Sequence, residues 1–104
     1  MVQRRRISGR ARKFSKLMDN QDGCCIYCGN KFGDIVNRGG SKEILAPHLD
    51  HFVPYSYKAD SSLGNLLLAC HVCNKLKFDK MFDSLEHAVR YLFRKWMERG
   101  YEVI

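Results

Sequence analysis

Two cysteine pairs with the same spacing place the strongest constraint on this chain. Cys25 and Cys28 form one Cys-x-x-Cys pair, and Cys70 and Cys73 form a second. A gap of two residues lets both thiolates of a turn face one tetrahedral ion, and four thiolates fill its coordination sphere. We therefore predict a structural Zn²⁺ site that has no open position for water.

Other interpretations of the cysteines stay open at this stage. Unrelated buried cysteines would require that chance place two such pairs in 104 residues. A thioredoxin-like redox role would need only one pair, within a strand–helix–strand unit. The fifth cysteine, Cys24, does not fit the spacing, so we predict that it is a free thiol.

The start of the sequence does not resemble a targeting segment. Three consecutive arginines follow Gln3, and no apolar run approaches the about 20 residues that a bilayer requires. We therefore expect a cytoplasmic protein that does not enter a membrane. Thiols stay reduced in that compartment, which favours metal ligation over disulfides for the paired cysteines.

The charge of the chain favours a polyanionic partner. Lys and Arg outnumber Asp and Glu by 18 to 11, which gives a net charge of +7. Such a charge attracts nucleic acid phosphates, although many basic faces are merely solvated. Six cationic residues are predicted to add affinity for the nucleic acid backbone without base specificity. They are Arg4, Arg5, Arg6, Arg10, Arg12 and Lys13.

Periodicity predicts helices toward both ends of a single domain. We interpret residues 1–9 as a flexible basic arm and residues 10–104 as the domain. Apolar residues recur at helical spacing from position 10 to about position 20. A second helix is predicted from Cys73, with inward-facing apolar residues. They are Leu76 and Met81, with Phe78 and Phe82 as further candidates.

Between these helices the pattern predicts two short strands. Pro47 and Pro54 bracket one strand over 49–53, and an apolar run over 66–69 predicts another. The segment 33–42 is rich in glycine and small polar residues, so we predict a loop there.

The last helix carries the clearest signals. Asp83 and Glu86 have the spacing of a capping box, and Gly100 is expected to end the helix. An apolar stripe could pack on the core or bind a partner, and core packing is favoured in a domain this small. The stripe consists of Leu85, Ala88, Val89, Leu92, Phe93, Trp96 and Met97.

The 41 residues between Cys28 and Cys70 exceed the about 15 to 20 that separate the pairs of a simple zinc ribbon. We therefore expect a functional segment to be inserted between the two cysteine pairs. The interval and the turn after it contain Asp50-His51 with Pro54, then Asn65 before an apolar run, then Cys73-Asn74 and Lys77.

This pattern resembles the HNH endonuclease family over about residues 25–79. The third signature position holds Asn74 where histidine is usual, so the set is His-Asn-Asn. Resemblance to the HNH domains of RNA-guided CRISPR effectors and of some phage nucleases suggests that asparagine is acceptable there.

The resemblance implies both a fold and a function. The fold is α+β, namely the small ββα-metal (His-Me finger) HNH nuclease fold, with a structural zinc and flanking N- and C-terminal helices. The function is metal-dependent hydrolysis of DNA phosphodiester bonds, by nicking or by double-strand cutting. A phage- or restriction-related role is expected, with a protein partner or a homodimer as further expectations.

The residue types in the motif suit this chemistry. His51 can act as a base near neutral pH. Asp50 and Asn74 offer hard oxygen ligands that match Mg²⁺ or Mn²⁺ better than zinc. Neighbours in a regular strand point to opposite faces, so we expect Asp50 and His51 at a strand end or a bulge.

Three further residues are predicted to support the site. Asn65 is expected to bond backbone across the 58–64 loop and so aim His51, a role that the resemblance also implies; direct ligation is the alternative. Lys75 and Lys77 are candidates for holding phosphate near the metal, although a solvated helix face explains them as well.

Two other functions stay open. The competing function is a zinc-stabilised DNA-binding module without activity, in which the acidic, imidazole and amide groups are incidental. A ribonuclease or a transposon-associated partner is the third, since phosphate chemistry does not distinguish DNA from RNA.

Overall fold

The computed structural model describes residues 9–104, which form an α+β fold as the sequence predicts. The helices are α1 Gly9–Asn20, α2 His71–Lys77 and α3 Leu85–Arg99. The strands are β1 Ile35–Arg38, β2 Ser41–Ile44, β3 Pro47–His51, β4 Leu66–Cys70 and β5 Tyr101–Val103, and a 3₁₀ turn covers Leu63–Asn65. No helix within residues 9–104 combines the length and the apolar character that a membrane span needs.

A ββα unit occupies the middle of the chain. Strands β3 and β4 pair antiparallel, with Asp50 opposite Leu67 and His51 opposite Leu66. Helix α2 begins directly where β4 ends, and Cys70 caps it by accepting the N–H of Cys73 on its sulfur. The helix packs back against β3. This order of two strands and a helix is the predicted ββα arrangement.

The two faces of the β3–β4 pair bury different cores, because alternate side chains point to opposite sides. On one face Leu66 and Leu68 pack with Leu17 of α1. On the other face Ala69 packs in a larger core that includes Leu92 of α3. The β3–β4 pair is therefore held between α1 on one side and α2 with α3 on the other.

The prediction of a loop over 33–42 is wrong, because β1 and β2 form an antiparallel hairpin there. Gly39 and Gly40 make its turn with φ of 57° and 85°. Positive φ at both turn positions is the type I′ geometry that matches the twist of two paired strands. Strand β5 pairs with the other side of β1, so a three-stranded sheet forms that the sequence did not indicate.

The N-cap of helix α3 lies one residue later than predicted. Ser84 is the N-cap and its hydroxyl accepts the N–H of His87, so the capping box of Asp83 and Glu86 is wrong. Gly100 ends the helix in the left-handed conformation, as predicted. The apolar stripe is only partly core: Ala88, Leu92 and Trp96 are buried, whereas Phe93 and Met97 are 67% and 68% exposed.

Other element boundaries also differ from the prediction. Helix α1 begins at Gly9, which the sequence assigned to the arm; the rest of that arm, including Arg4, Arg5 and Arg6, lies outside the described residues. Strand β3 begins at Pro47 and ends at His51, two residues before Val53. Helix α2 ends at Lys77 because Phe78 adopts a positive φ of 52°.

That ending leaves two of the predicted inward-facing residues in solvent. Phe78 is 79% exposed and Met81 is 56% exposed. Leu76 and Phe82 pack against the larger core, as predicted.

Candidate active site and metal centre

Four cysteines converge at the junction of β4 and α2. The Sγ atoms of Cys25, Cys28, Cys70 and Cys73 all lie within 4.8 Å of one another. The Cys28 and Cys70 sulfurs are 3.8 Å apart, which matches the about 3.8 Å edge of a tetrahedron with Zn–S bonds of about 2.3 Å. These cysteines fit a structural zinc, and Cys24 is outside the group, as predicted.

Contacts around the sulfurs favour bound thiolates. The indole N–H of Trp96 donates to Cys73 Sγ at 3.2 Å, and the N–H of Cys73 donates to Cys70 Sγ at 3.3 Å. Hydrogen bonds from the neighbouring thiols, that of Cys28 above all, lower the pKa of Cys25. Hydrogen bonds with the neighbouring thiols, that with Cys25 above all, raise the pKa of Cys73, and burial and the charge on Cys25 add to this rise. Full ionisation of the four thiols therefore needs a cation among them.

Asp50 lies beside this metal centre. The side chain is buried on the α2 face of β3, where Tyr27 donates a short hydrogen bond to Oδ2. Tyr27 is part of the first cysteine turn, so the metal centre and Asp50 are linked by one side chain. Burial raises the pKa of Asp50, and the Tyr27 and Lys77 contacts oppose that rise. Burial also raises the pKa of Tyr27, so its hydroxyl stays a donor.

Lys77 extends from α2 to the same carboxylate. Its ammonium lies 3.4 Å from Asp50 Oδ1 and donates to the backbone carbonyl of His51 at 3.1 Å. The side chain has no exposed surface. Lys77 is therefore a buried internal cation in this structure, which differs from the predicted contact with phosphate, whereas Lys75 is exposed as that role requires.

His51 is the last residue of β3 and faces the other way. Its register partner Leu66 packs with α1, and its Nε2 lies 3.0 Å from the hydroxyl of Ser61. The ring of Tyr55 stands edge-on at 5.4 Å. His51 occupies a strand end as predicted, but it and Asp50 point to opposite faces of the strand pair.

Asn65 braces the loop that follows β3. Its Oδ1 accepts the N–H of Val53 at 2.8 Å, and its amide donates to the carbonyls of Val53 and Asp60. These are the loop-spanning bonds that the sequence interpretation expected. Whether they also aim His51 stays a prediction, because no hydrogen bond joins Asn65 to that ring within residues 9–104.

Asn74 lies half-buried in α2, one residue after the last cysteine of the metal centre. The helix contacts β3, so Asn74 is on the element that packs against Asp50. Among residues 9–104, no hydrogen bond joins the side chains of Asp50, His51 and Asn74 to one another. The structure thus brings together the elements that carry the three residues, and it links Asp50 with His51 through Lys77.

Two residues of the site were not predicted. Tyr27 lies between Cys25 and Cys28, and Ser61 lies in the 58–64 loop. No local pattern could identify them, because each acts through one contact with a residue distant in sequence or across a loop.

The fold and the site define a small α+β protein in which a ββα unit is anchored by a four-cysteine metal centre. A family model described as HNH endonuclease matches residues 25–80. The match covers more than half of the chain, and the chain belongs to the HNH endonuclease family. It spans both cysteine pairs and the whole ββα unit, whereas α1 and α3 are outside it. No curated protein matches the chain.

Proposed function

We propose that this chain is a metal-dependent endonuclease that hydrolyses DNA phosphodiester bonds. The family match supports this proposal. One observation carries it: the buried Lys77 of α2 contacts both the carboxylate of Asp50 and the backbone of His51. The helix that bears Asn74 is thereby fixed against the strand end that bears the other two residues.

The donors at this strand end fit a hard divalent cation. Asp50 supplies carboxylate oxygens and Asn74 an amide oxygen, the ligand types that Mg²⁺ and Mn²⁺ accept. Each Asp50 oxygen makes one contact with a donor and keeps further acceptor capacity. When bound, the cation would supply positive charge that offsets the charge developing on the phosphate and on the leaving oxygen.

His51 is assigned the role of the base. Its imidazole is partly accessible at the end of β3, and its Nε2 faces a hydroxyl that can rotate away or share a water molecule. Lys77 fixes the backbone of His51 through its carbonyl. A base held at a strand end can take a proton from an attacking water molecule without moving the backbone.

A second function is favoured by a specific observation. Asp50 is satisfied by Tyr27 and Lys77 and points away from the His51 face. This is also how a purely structural carboxylate would be placed. A zinc-stabilised DNA-binding module without activity is therefore the alternative.

Nicking of supercoiled plasmid under Mg²⁺ and Mn²⁺ titration separates the two functions. We expect the zinc-loaded chain to nick DNA, and His51→Ala and Asn74→Ala to lose about 10²-fold or more of the rate. His48→Ala is the matched control, since His48 is exposed on the same strand, and it should keep the rate. RNA of the same sequence is assayed in parallel.

Zinc content and DNA binding of the inactive variants must match those of the unmodified chain. If the zinc-loaded chain binds DNA but leaves plasmid intact at every metal and salt concentration, the binding-module function replaces the proposal. A phage- or restriction-related role, a cytoplasmic location and a homodimer or protein partner stay predictions.

A further inference from the structure

A cavity of about 320 Å³ lies between α1 and the end of β3. Its wall combines two cationic side chains, an imidazole, a hydroxyl and two apolar side chains. In chain order these are Arg10, Lys13, Leu49, His51, Ser61 and Leu66. The cavity therefore opens beside the residue to which we assign the role of the base.

Ser61 connects the cationic wall to that imidazole. Its carbonyl accepts a hydrogen bond from the Lys13 ammonium at 2.7 Å, and its hydroxyl lies 3.0 Å from His51 Nε2. Lys13 and His51, which are 38 positions apart along the chain, thus both contact Ser61. Lys13 is held at a defined place in the cavity instead of ranging over the surface of α1.

The chemistry of the wall matches a nucleotide strand. Arginine and lysine bind phosphodiester oxygens, and arginine can do so with two parallel hydrogen bonds. The apolar side chains of Leu49 and Leu66 offer a surface against which a sugar ring can lie. We propose that this cavity is a phosphate subsite, in which Arg10 and Lys13 bind the phosphodiester next to the one that is cut.

The subsite rests on the proposed function, but it is formed by residues outside the matched family segment as well as inside it. Helix α1 precedes residue 25, where the family match begins. Arg10 and Lys13 are three positions apart and share one face of the helix. Arg12 and Lys16 are also on α1 but do not line the cavity.

Binding to a labelled DNA duplex tests the subsite apart from cleavage. Arg10→Ala/Lys13→Ala is compared with Lys16→Ala/Lys42→Ala, which removes the same charge from exposed positions outside the cavity. Without added Mg²⁺, we expect the first pair to raise Kd about tenfold or more. The slope of log Kd against log salt should fall by about 0.9 for each lost phosphate contact. The control pair should change Kd less than about threefold.

Arg10→Ala alone separates a loss of DNA binding from a folding defect, because Lys13→Ala also removes the hydrogen bond to Ser61. We expect Arg10→Ala to weaken binding with an unchanged unfolding temperature, and Lys16→Ala on the same helix to have little effect. In the cleavage assay at saturating DNA, the Arg10 and Lys13 variants should be slower than the Lys16 and Lys42 variants.

Equal weakening by the two double variants would mean diffuse attraction to a basic surface and would overturn the subsite. So would no weakening by either, or weakening only in variants that unfold earlier. If the unmodified chain cleaves nothing, the proposed function fails, while the difference in binding still decides whether the cavity holds phosphate.

Discussion

The ammonium of Lys77 lies 3.4 Å from the carboxylate of Asp50, and neither side chain has appreciable contact with solvent. A buried ion pair contributes little net stability, because the loss of hydration offsets the attraction. Replacement of only one of the two residues leaves an unpaired charge in the interior. The pair is therefore expected to act mainly by fixing the geometry of the strand end.

Lys77→Met is expected to lower the free energy of unfolding by about 3 to 5 kcal/mol, because Asp50 is left without its cation. Asp50→Asn/Lys77→Met should recover much of that loss. Urea unfolding of the zinc-loaded variants measures both values, and Lys75→Met on the exposed side of the same helix is the control. Equal losses in the single and double variants would contradict the ion pair.

Stability should also respond to the titration of Asp50. Burial raises its pKa above the usual 3.8, so the native chain keeps this proton in a pH range where the unfolded chain has lost it. In the window just above that value, rising pH lowers the contribution of Asp50 to the free energy of unfolding. The free energy of unfolding is measured for the unmodified chain and for Asp50→Asn with saturating zinc from about pH 4 to about pH 7. The value of the unmodified chain minus that of the variant should fall as the pH rises through that window. A difference that rises there would contradict the burial effect.

The four-cysteine group is expected to hold about one zinc ion per chain. Cys73→Ser should lose the ion and most of the folded structure, because the thiolates join two segments of the core. Cys24→Ser provides the matched control, since Cys24 lies in the same turn region but outside the group. Metal analysis and thermal unfolding measure the two effects. Retention of zinc by Cys73→Ser would disprove the assigned ligand set.

Asn65→Ala should destabilise the chain by about 2 to 3 kcal/mol, since it removes the acceptor and donor bonds that brace the loop. Asn65→Asp keeps the acceptor for Val53 but turns a carboxylate oxygen toward the carbonyls of Val53 and Asp60, so a loss at least as large is expected. Asn20→Ala at the exposed end of α1 is the control. If the loop aims His51, the DNA cleavage rate of the alanine variant falls under conditions where it is still folded.

Gly40→Ala is expected to cost about 1 to 2 kcal/mol, because its φ of 85° is unfavourable for a residue with a Cβ. Gly64→Ala serves as the control, since Gly64 has no positive φ and an added Cβ would meet no atom within 4 Å. Urea unfolding compares the two. A neutral Gly40→Ala would argue against the I′ turn of the hairpin.

The metal ligands and the order of the ββα unit could be predicted because both depend on residues that are close together in the sequence. Cys-x-x-Cys fixes two ligands within one turn, and the run before Cys70 has strand length. The hairpin of β1 and β2 could not be predicted in the same way. Only Val36 in β1 is buried, and β2 is exposed throughout, so the alternation that marks a strand is absent.

The tertiary contacts of each site residue could not be predicted from the sequence. Lys77 and Asp50 are 27 positions apart, and Lys13 and Ser61 are 48 apart. A lysine near a motif predicts a contact with phosphate as readily as a buried ion pair, and only the packing of α2 on β3 decides between them. Residue types thus indicated the chemistry, whereas tertiary contacts determined which groups are free to take part.

The cysteine centre also closes a ring in the chain, from the turn at Cys28 to the start of α2 at Cys70. In a loop of this length, each further residue adds little to the entropy lost when the metal closes the ring on folding. The hairpin within the ring could therefore be lengthened or exchanged with little penalty, whereas opening the ring would release Tyr27 and Lys77 together. Tolerance to insertion should be greatest at the tip formed by Gly39 and Gly40.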